Sequence, residues 1–420
     1  MELYHNSRKQ EYRSPYGAVA VGTTVTISLD APEAERVYLR LWTGSETLIP
    51  MTKGEAGRFT AEWIVPETPG LVWYYFRVDT ANGTVFYGAD HGGTGKCTDQ
   101  PESWQITVYA PQPLPEWYRN AVVYQIFPDR FARGEDWLRC QENAAHPAGW
   151  KGTRRMVMQE WNDTPFYCRD EKQRVTRWPF FGGNLQGILK KLPYLKALGV
   201  GAIYLNPIFL ASSNHKYDTA DYLTIDPGFG TEEDFRNLCA QAKEIGIRVI
   251  LDGVFSHTGD DSVYFNRFGN YPQPGAYGPA PSPYDDWYRF GEAYPAGYEC
   301  WWGVDSLPDV EELNPGYQKL ICGEDGVIRK WLRLGASGWR LDVADELPDS
   351  FIAAIRRACK TEQKDALLLG EVWEDASHKI SYDRLREYLL GQELDCTMHY
   401  PFRDGAVAFL LGQKTAGAFA

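Results

Sequence analysis

The chain has 420 residues, 44% of them hydrophobic and 24% charged, a globular balance that excludes a disordered or low-complexity protein. Its 43 Lys and Arg stand against 56 Asp and Glu, and the net charge of −13 argues against nucleic acid or an anionic membrane as partner. No apolar run approaches the roughly 18 residues that cross a bilayer, and the N-terminus lacks the apolar core of a signal peptide, so the cytoplasm is the expected compartment.

Residues 1–112 read as short strands at 18–29, 36–42, 58–64, 71–78 and 83–87. In the second of these, Val37, Leu39 and Leu41 share one face while Arg36, Tyr38 and Arg40 share the other. Ala81-Asn82-Gly83 reads as a hairpin turn. The pattern predicts an N-terminal β-sandwich. Three prolines in 110–115 mark the linker after it, because proline cannot sit in a central strand.

Beyond the linker, strands alternate with helices. A strand at 121–127 comes first. Asn184 caps a helix carrying Leu185, Ile188, Leu189, Leu192, Leu195 and Leu198, closed by Gly199 and kinked by Pro193. A strand follows at 201–205. Thr231 opens a helix with Phe235, Leu238, Ala242 and Ile245, closed by Gly246. Strand 248–251, a helix from Asn314-Pro315 to about residue 334, strand 337–341 and helix 350–359 come next. Strand 366–369, helix 382–390, strand 394–398 and a helical start at Arg403 complete the run.

Six β-α units with near-continuous apolar strands predict an α/β fold, a parallel sheet covered by helices, as a doubly wound sheet or a closed barrel. Neither G-x-G-x-x-G nor a Walker loop is present, which removes the usual support for nucleotide binding. Two long irregular stretches, 132–183 and 258–313, are rich in Gly, Pro, Trp, Tyr and Asp and read as functional insertions. The eight cysteines show no C-x-x-C spacing and read as reduced thiols.

Three strands end in an acid: Val249-Ile250-Leu251-Asp252, Gly338-Trp339-Arg340-Leu341-Asp342 and Leu367-Leu368-Leu369-Gly370-Glu371. In a parallel α/β domain all these ends lie on one face, with neighbours ~4.8 Å apart. Asp342 and Glu371 therefore suit a retaining glycosidase, whose nucleophile and acid/base stand about 5–5.5 Å apart. Arg340, two residues before Asp342 on the same strand face, is expected to hold Asp342 ionised. Glu371 needs the opposite, a raised pKa, and Trp373 offers it an apolar neighbour. His257, five residues after Asp252, is expected at the same mouth, donating to a sugar hydroxyl or carrying a charge. Tyr217 offers an aromatic platform and Asp218 a hydroxyl acceptor.

In this order and spacing, 252–257, 338–346 and 370–373 resemble signature regions of the α-amylase superfamily of glycoside hydrolases, as do 123–131, 203–209 and 216–222. With the N-terminal sandwich, they look most like the neopullulanase/cyclomaltodextrinase branch. The resemblance implies a (β/α)8 TIM barrel over 113–257 and 314–420, with a domain B inserted at 258–313. It implies Asp342 as nucleophile, Glu371 as general acid/base and Arg340 as the residue that positions the nucleophile. Tyr217, Asp218 and His257 would surround the sugar, joined by Trp302, Glu346 and Trp373 as substrate contacts. The implied substrates are α-1,4-linked glucans, cyclodextrins and pullulan, with α-1,6 bonds a further linkage to consider. A homodimer through the N-terminal domain is the implied assembly.

The 14% of aromatic residues suits core packing on composition alone, and the resemblance points those in the insertions toward a sugar-lined cleft. Ser256 stands where many members carry a calcium-binding asparagine, and 132–160 is poor in Asp and Asn; no cofactor is expected, and calcium has weak support. The family's third acid, preceded by a histidine after strand seven, has no counterpart, since no His-Asp dipeptide occurs. The strand count predicts a barrel that stops after its sixth unit, inactive on its own. The alternatives are a transglycosylase or isomerase on the same scaffold, or a non-catalytic glucan-binding chain.

Overall fold

Val37, Leu39 and Leu41 are all buried in strand Arg36–Trp42, the face that alternation assigns to the core. They belong to the N-terminal part of a computed structural model that describes residues 2–419. One antiparallel sheet there runs in the order Arg13–Ser14, Thr24–Asp30, Arg58–Ile64, Thr52–Lys53. A second is built on the long strand Gly70–Thr80, which pairs with Arg36–Trp42, Gly83–Ala89 and Trp104–Tyr109. The two share one core, to which Val25, Ile27 and Leu29 contribute from one sheet and Tyr74, Phe76 and Ile106 from the other. The single run expected at 18–29 is instead two strands in different sheets. Val19–Ala20 pairs with Trp104–Tyr109 and Thr24–Asp30 with Arg58–Ile64, because Gly22 turns the chain at φ 68°.

Contacts divide the molecule into two units. The first takes the chain up to Pro113 together with Trp373–Glu393 and the segment from His399 onward. The second comprises Leu114–Val372 and Leu394–Met398.

The second unit is organised by six strands: Val122–Ile126, Val200–Leu205, Arg248–Gly253, Gly338–Leu341, Leu367–Gly370 and Cys396–Thr397. They neighbour one another in chain order, every pair parallel. A doubly wound sheet reverses its order at a switch point, whereas this wall never does, so it is a singly wound, curled half-barrel. Ala202, Tyr204, Ile250, Leu367 and Leu369 pack together as a buried core cluster of these strands.

Helices connect the strands, with three departures from the expected pattern. Asn184 caps as predicted, its side chain accepting from the Gly187 amide at 2.9 Å. The helix then breaks into Leu185–Lys190 and Leu192–Ala197, because Pro193 lacks the amide needed to continue and restarts a first turn instead. The helix expected from Asn314 to about 334 is likewise two, Pro315–Cys322 and Val327–Arg333, interrupted where Gly323 and Gly326 adopt extended backbone. The helix expected at 382–390 is absent. Ile380–Ser381 and Arg384–Leu385 form a hairpin there in the first unit, turned by Tyr382 and Asp383 at φ 52° and 59°.

Residues 258–313 contain two short 3₁₀ turns and isolated bridges such as Phe290 to Tyr298. Tyr264, Phe265, Trp287, Tyr288 and Tyr298 are buried in ring contacts with one another, so five of the thirteen aromatics of this segment serve packing rather than a cleft. All eight cysteines are free thiols. Among the described residues no helix is long and apolar enough to cross a membrane.

Candidate active site

The parallel register carries the acids of strands three, four and five to one edge. Asp252 pairs with Arg340, and Leu341 with Gly370. The ladder continues past the strand ends, as the Asp342 amide donates to the Gly253 carbonyl and the Glu371 amide to the Leu341 carbonyl, both at 3.0 Å. Asp342 and Glu371 thus leave adjacent strands at the same level.

Arg340 joins the three acids. Its Nη1 donates to Asp252 Oδ1 at 2.8 Å and to Asp342 Oδ1 at 2.6 Å, and its Nη2 lies 2.7 Å from Glu371 Oε2. The guanidinium is 5% exposed, and the Asp252, Asp342 and Glu371 side chains 0%, 10% and 11%. The edge that sequence reasoning assigns to Asp342 and Glu371 is therefore one buried cluster of three carboxylates on a single cation. Asp252 is the member whose partnership with Arg340 the sequence leaves unseen.

Burial pushes the Asp342 carboxyl up; Arg340 opposes it, while Asp252 and Glu371 add to the rise, and the value reaches about 7. This corrects the expectation that Arg340 holds Asp342 ionised with a low pKa: one guanidinium does not offset burial beside two like charges. Burial likewise raises Asp252 despite Arg340. Asp252 Oδ2 also accepts the Tyr217 hydroxyl at 3.0 Å and that of Tyr204, a strand-two residue of the 203–209 segment not named as a site residue from sequence.

Glu371 Oε2 also accepts the Val343 amide at 3.0 Å. Val343 holds φ 37° and ψ 58°, a left-handed conformation that a β-branched residue rarely tolerates, directly after Asp342. The following turn, Ala344–Glu346, places Glu346 where its Oε1 accepts the Trp302 indole at 3.3 Å. Trp302 is 66% exposed and stacks on Trp301, centroids 5.4 Å apart.

His257 is 2% exposed and held on both nitrogens. Nε2 donates to the Tyr217 carbonyl at 3.1 Å, which leaves Nδ1 to accept from the Ser256 hydroxyl at 3.0 Å. Burial lowers its pKa to about 4, so the expectation of a charged His257 gives way to a neutral ring. Asp218 accepts from the Ser213 amide at 3.0 Å and from the Ser213 hydroxyl, closing its own loop. Trp373 belongs to the first unit and is 40% exposed. Among the described residues, no group of three or more His, Cys, Asp and Glu side chains is arranged to hold a metal.

A family model described as the alpha amylase catalytic domain matches residues 125–419. The chain is 38% identical over 459 residues to an amylopullulanase of Thermoanaerobacterium saccharolyticum, an overlap covering 98% of this chain and 34% of that protein. It is 38% identical over 302 residues to neopullulanase 2 of Thermoactinomyces vulgaris, covering 70% of this chain and 44% of that one. A type III pullulan hydrolase from Thermococcus kodakarensis superposes with a TM-score of 0.61 at 26% identity, over 100% of this chain and 68% of the other. The chain thus spans about a third of the amylopullulanase and under half of the neopullulanase.

Proposed function

The chain belongs to the alpha-amylase family, and on that premise we propose that it carries the acid pair of a retaining glycoside hydrolase acting on α-1,4-linked glucans. The observation that supports this best is the sharing of Arg340 by two acids from adjacent strand ends. Asp342, as carboxylate, attacks the anomeric carbon, while Glu371 protonates the departing glycosidic oxygen. A covalent glycosyl-enzyme forms. Glu371 then takes a proton from water, whose oxygen displaces Asp342 from the sugar. Arg340 stays charged throughout and spreads its hydrogen bonds over both acids. The reaction calls on these side chains alone, with no cofactor.

Maltooligosaccharides, cyclodextrins and pullulan are the substrates we assign, the relatives' names pointing to pullulan. Tyr217, Asp218 and His257 line the sugar undergoing cleavage in this reading. Trp302, steadied by Glu346, offers the exposed aromatic face that a pyranose ring prefers. The cytoplasm is the compartment that suits eight free thiols.

Replacing Asp342→Asn in the protein that carries this chain should lower kcat/KM on maltotriose by at least about a thousandfold. A fluorosugar trap should add its mass to the peptide containing Asp342. Unchanged turnover, or label on another peptide, would end the nucleophile assignment. Glucose and maltose are the expected products, and longer oligosaccharides would indicate transfer to sugar instead of water.

A further inference from the structure

The proposed reaction leaves a second buried charge cluster of the same unit unused. Lys216, Asp226 and Arg155 meet there with side chains 0%, 1% and 6% exposed. Lys216 Nζ donates to Asp226 and, at 2.7 Å, to the Ala211 carbonyl. Arg155 Nη1 donates to the two Asp226 oxygens at 3.1 and 3.2 Å, and its Nη2 to Gln141 Oε1 at 3.1 Å. The Phe180 ring lies against both cations, 3.6 Å from Arg155 Cζ and 4.9 Å from Lys216 Nζ.

Stability does not account for such an arrangement, because each buried ion forfeits several kcal/mol of hydration and apolar side chains of equal volume often hold a fold as well. Its geometry suggests another use. Lys216 adopts φ 67°, a left-handed turn unusual for a side chain with a Cβ. The Ser213 hydroxyl, which accepts the Lys216 amide at 2.9 Å, closes the same turn from within. The next residue, Tyr217, sends its hydroxyl to Asp252 Oδ2. The other oxygen of Asp252 takes Arg340, which holds Asp342 and Glu371.

We propose that Lys216 is a positioning residue for the acid pair: clamped by Asp226 and the Ala211 carbonyl, it fixes the turn that delivers Tyr217 to Asp252. Arg155 extends the clamp, tying Asp226 and the 211–218 turn to the inserted segment around Gln141. The inference rests on the glycosidase reading for its kinetic consequences, though its geometric core does not. A misplacement of about 1 Å at a reacting centre lowers rate by about a hundredfold, and the effect of Lys216 has to pass through Tyr217.

The test is a double-mutant cycle in the full protein, with crystal structures of the variants. Lys216→Met should lower kcat on maltotriose by about ten- to a hundredfold with KM little changed, and Tyr217→Phe should do the same. The double variant should be no slower than the worse single one, because both act on one contact. Lys216→Arg, which keeps a cation opposite Asp226, should recover part of the loss. In the structure of Lys216→Met the Tyr217 hydroxyl should no longer meet Asp252. An additive cycle overturns the proposal, as does full kcat in Lys216→Met, which would reduce Lys216 to a stabilising group. If Lys216→Met does not fold, Arg155→Met, which leaves the Lys216–Asp226 pair in place, should show a smaller loss with the same non-additivity. A Tyr217–Asp252 contact still at its present length in these structures overturns the proposal whatever happens to turnover. Loss of the glycosidase reading would register separately, as full activity in Asp342→Asn.

Discussion

Two buried ion clusters lie in the same unit, built with opposite excess. Around Arg340, three carboxylates share one cation; around Asp226, two cations share one carboxylate. In the first, burial and the neighbouring acids lift Asp342 to about 7 against the pull of Arg340. In the second, burial would raise Asp226, but Arg155 and Lys216 together hold it below its ordinary value. There burial acts on Lys216 instead, lowering it to about 8 despite Asp226. The minority charge of each cluster keeps its ionic form, while burial pushes Asp342 and Asp252 in one and Lys216 in the other toward their neutral forms. The first cluster presents the acids that the proposed reaction uses, whereas the second lies beside the turn that carries Tyr217 to Asp252.

The contrast is broken most severely by removing the minority charge. Arg340→Met should destabilise the fold by about 3–5 kcal/mol in urea titrations at pH 8, and by less at pH 5, where the stranded acids take up protons. Asp226→Asn should cost about as much with the opposite trend, milder at pH 9 where Lys216 sheds its proton. Equal pH trends in the two variants would remove the distinction between the clusters.

A smaller effect sharpens the comparison. Asp342 has its pKa raised on folding, so its contribution to stability is fully present below about pH 4 and lost as pH rises toward 7. Lys216 has its pKa lowered, so its contribution is present above the ordinary lysine value and lost as pH falls toward 8. Melting temperature against pH should therefore flatten between 4 and 7 in Asp342→Asn and above 8 in Lys216→Met. The flattening at acid pH should be partial, since Asp260, Asp261 and Asp309 are also lifted to about 7. The smallest effect belongs to an exposed ring. Trp302→Ala should change stability by no more than about 0.5 kcal/mol, yet raise KM for maltotriose severalfold, and an unchanged KM would make Trp302 a packing residue.

Much of the fold was legible because it follows from local pattern. Alternation in 36–42, the Asn184 and Thr231 caps and the apolar runs before Asp252, Asp342 and Glu371 each produced the expected element. Local pattern failed where one residue type serves two ends. Tyr382 and Asp383, helical in spacing, turn a hairpin through positive φ, and five of the aromatics that suggested a sugar cleft are buried in 258–313.

By itself the sequence determined which acids end neighbouring strands and that Arg340 shares a strand face with Asp342, because strand period and parallel direction are local properties. Only the tertiary structure decided the charge states: Asp342 lifted toward neutrality, His257 left uncharged, Lys216 buried against Asp226. Those depend on burial and on partners such as Tyr204 and Arg155, 48 and 71 residues distant from the acids they serve. Electrostatic energy depends on distance in space and on the exclusion of water, and neither is written in the spacing of residues along a chain.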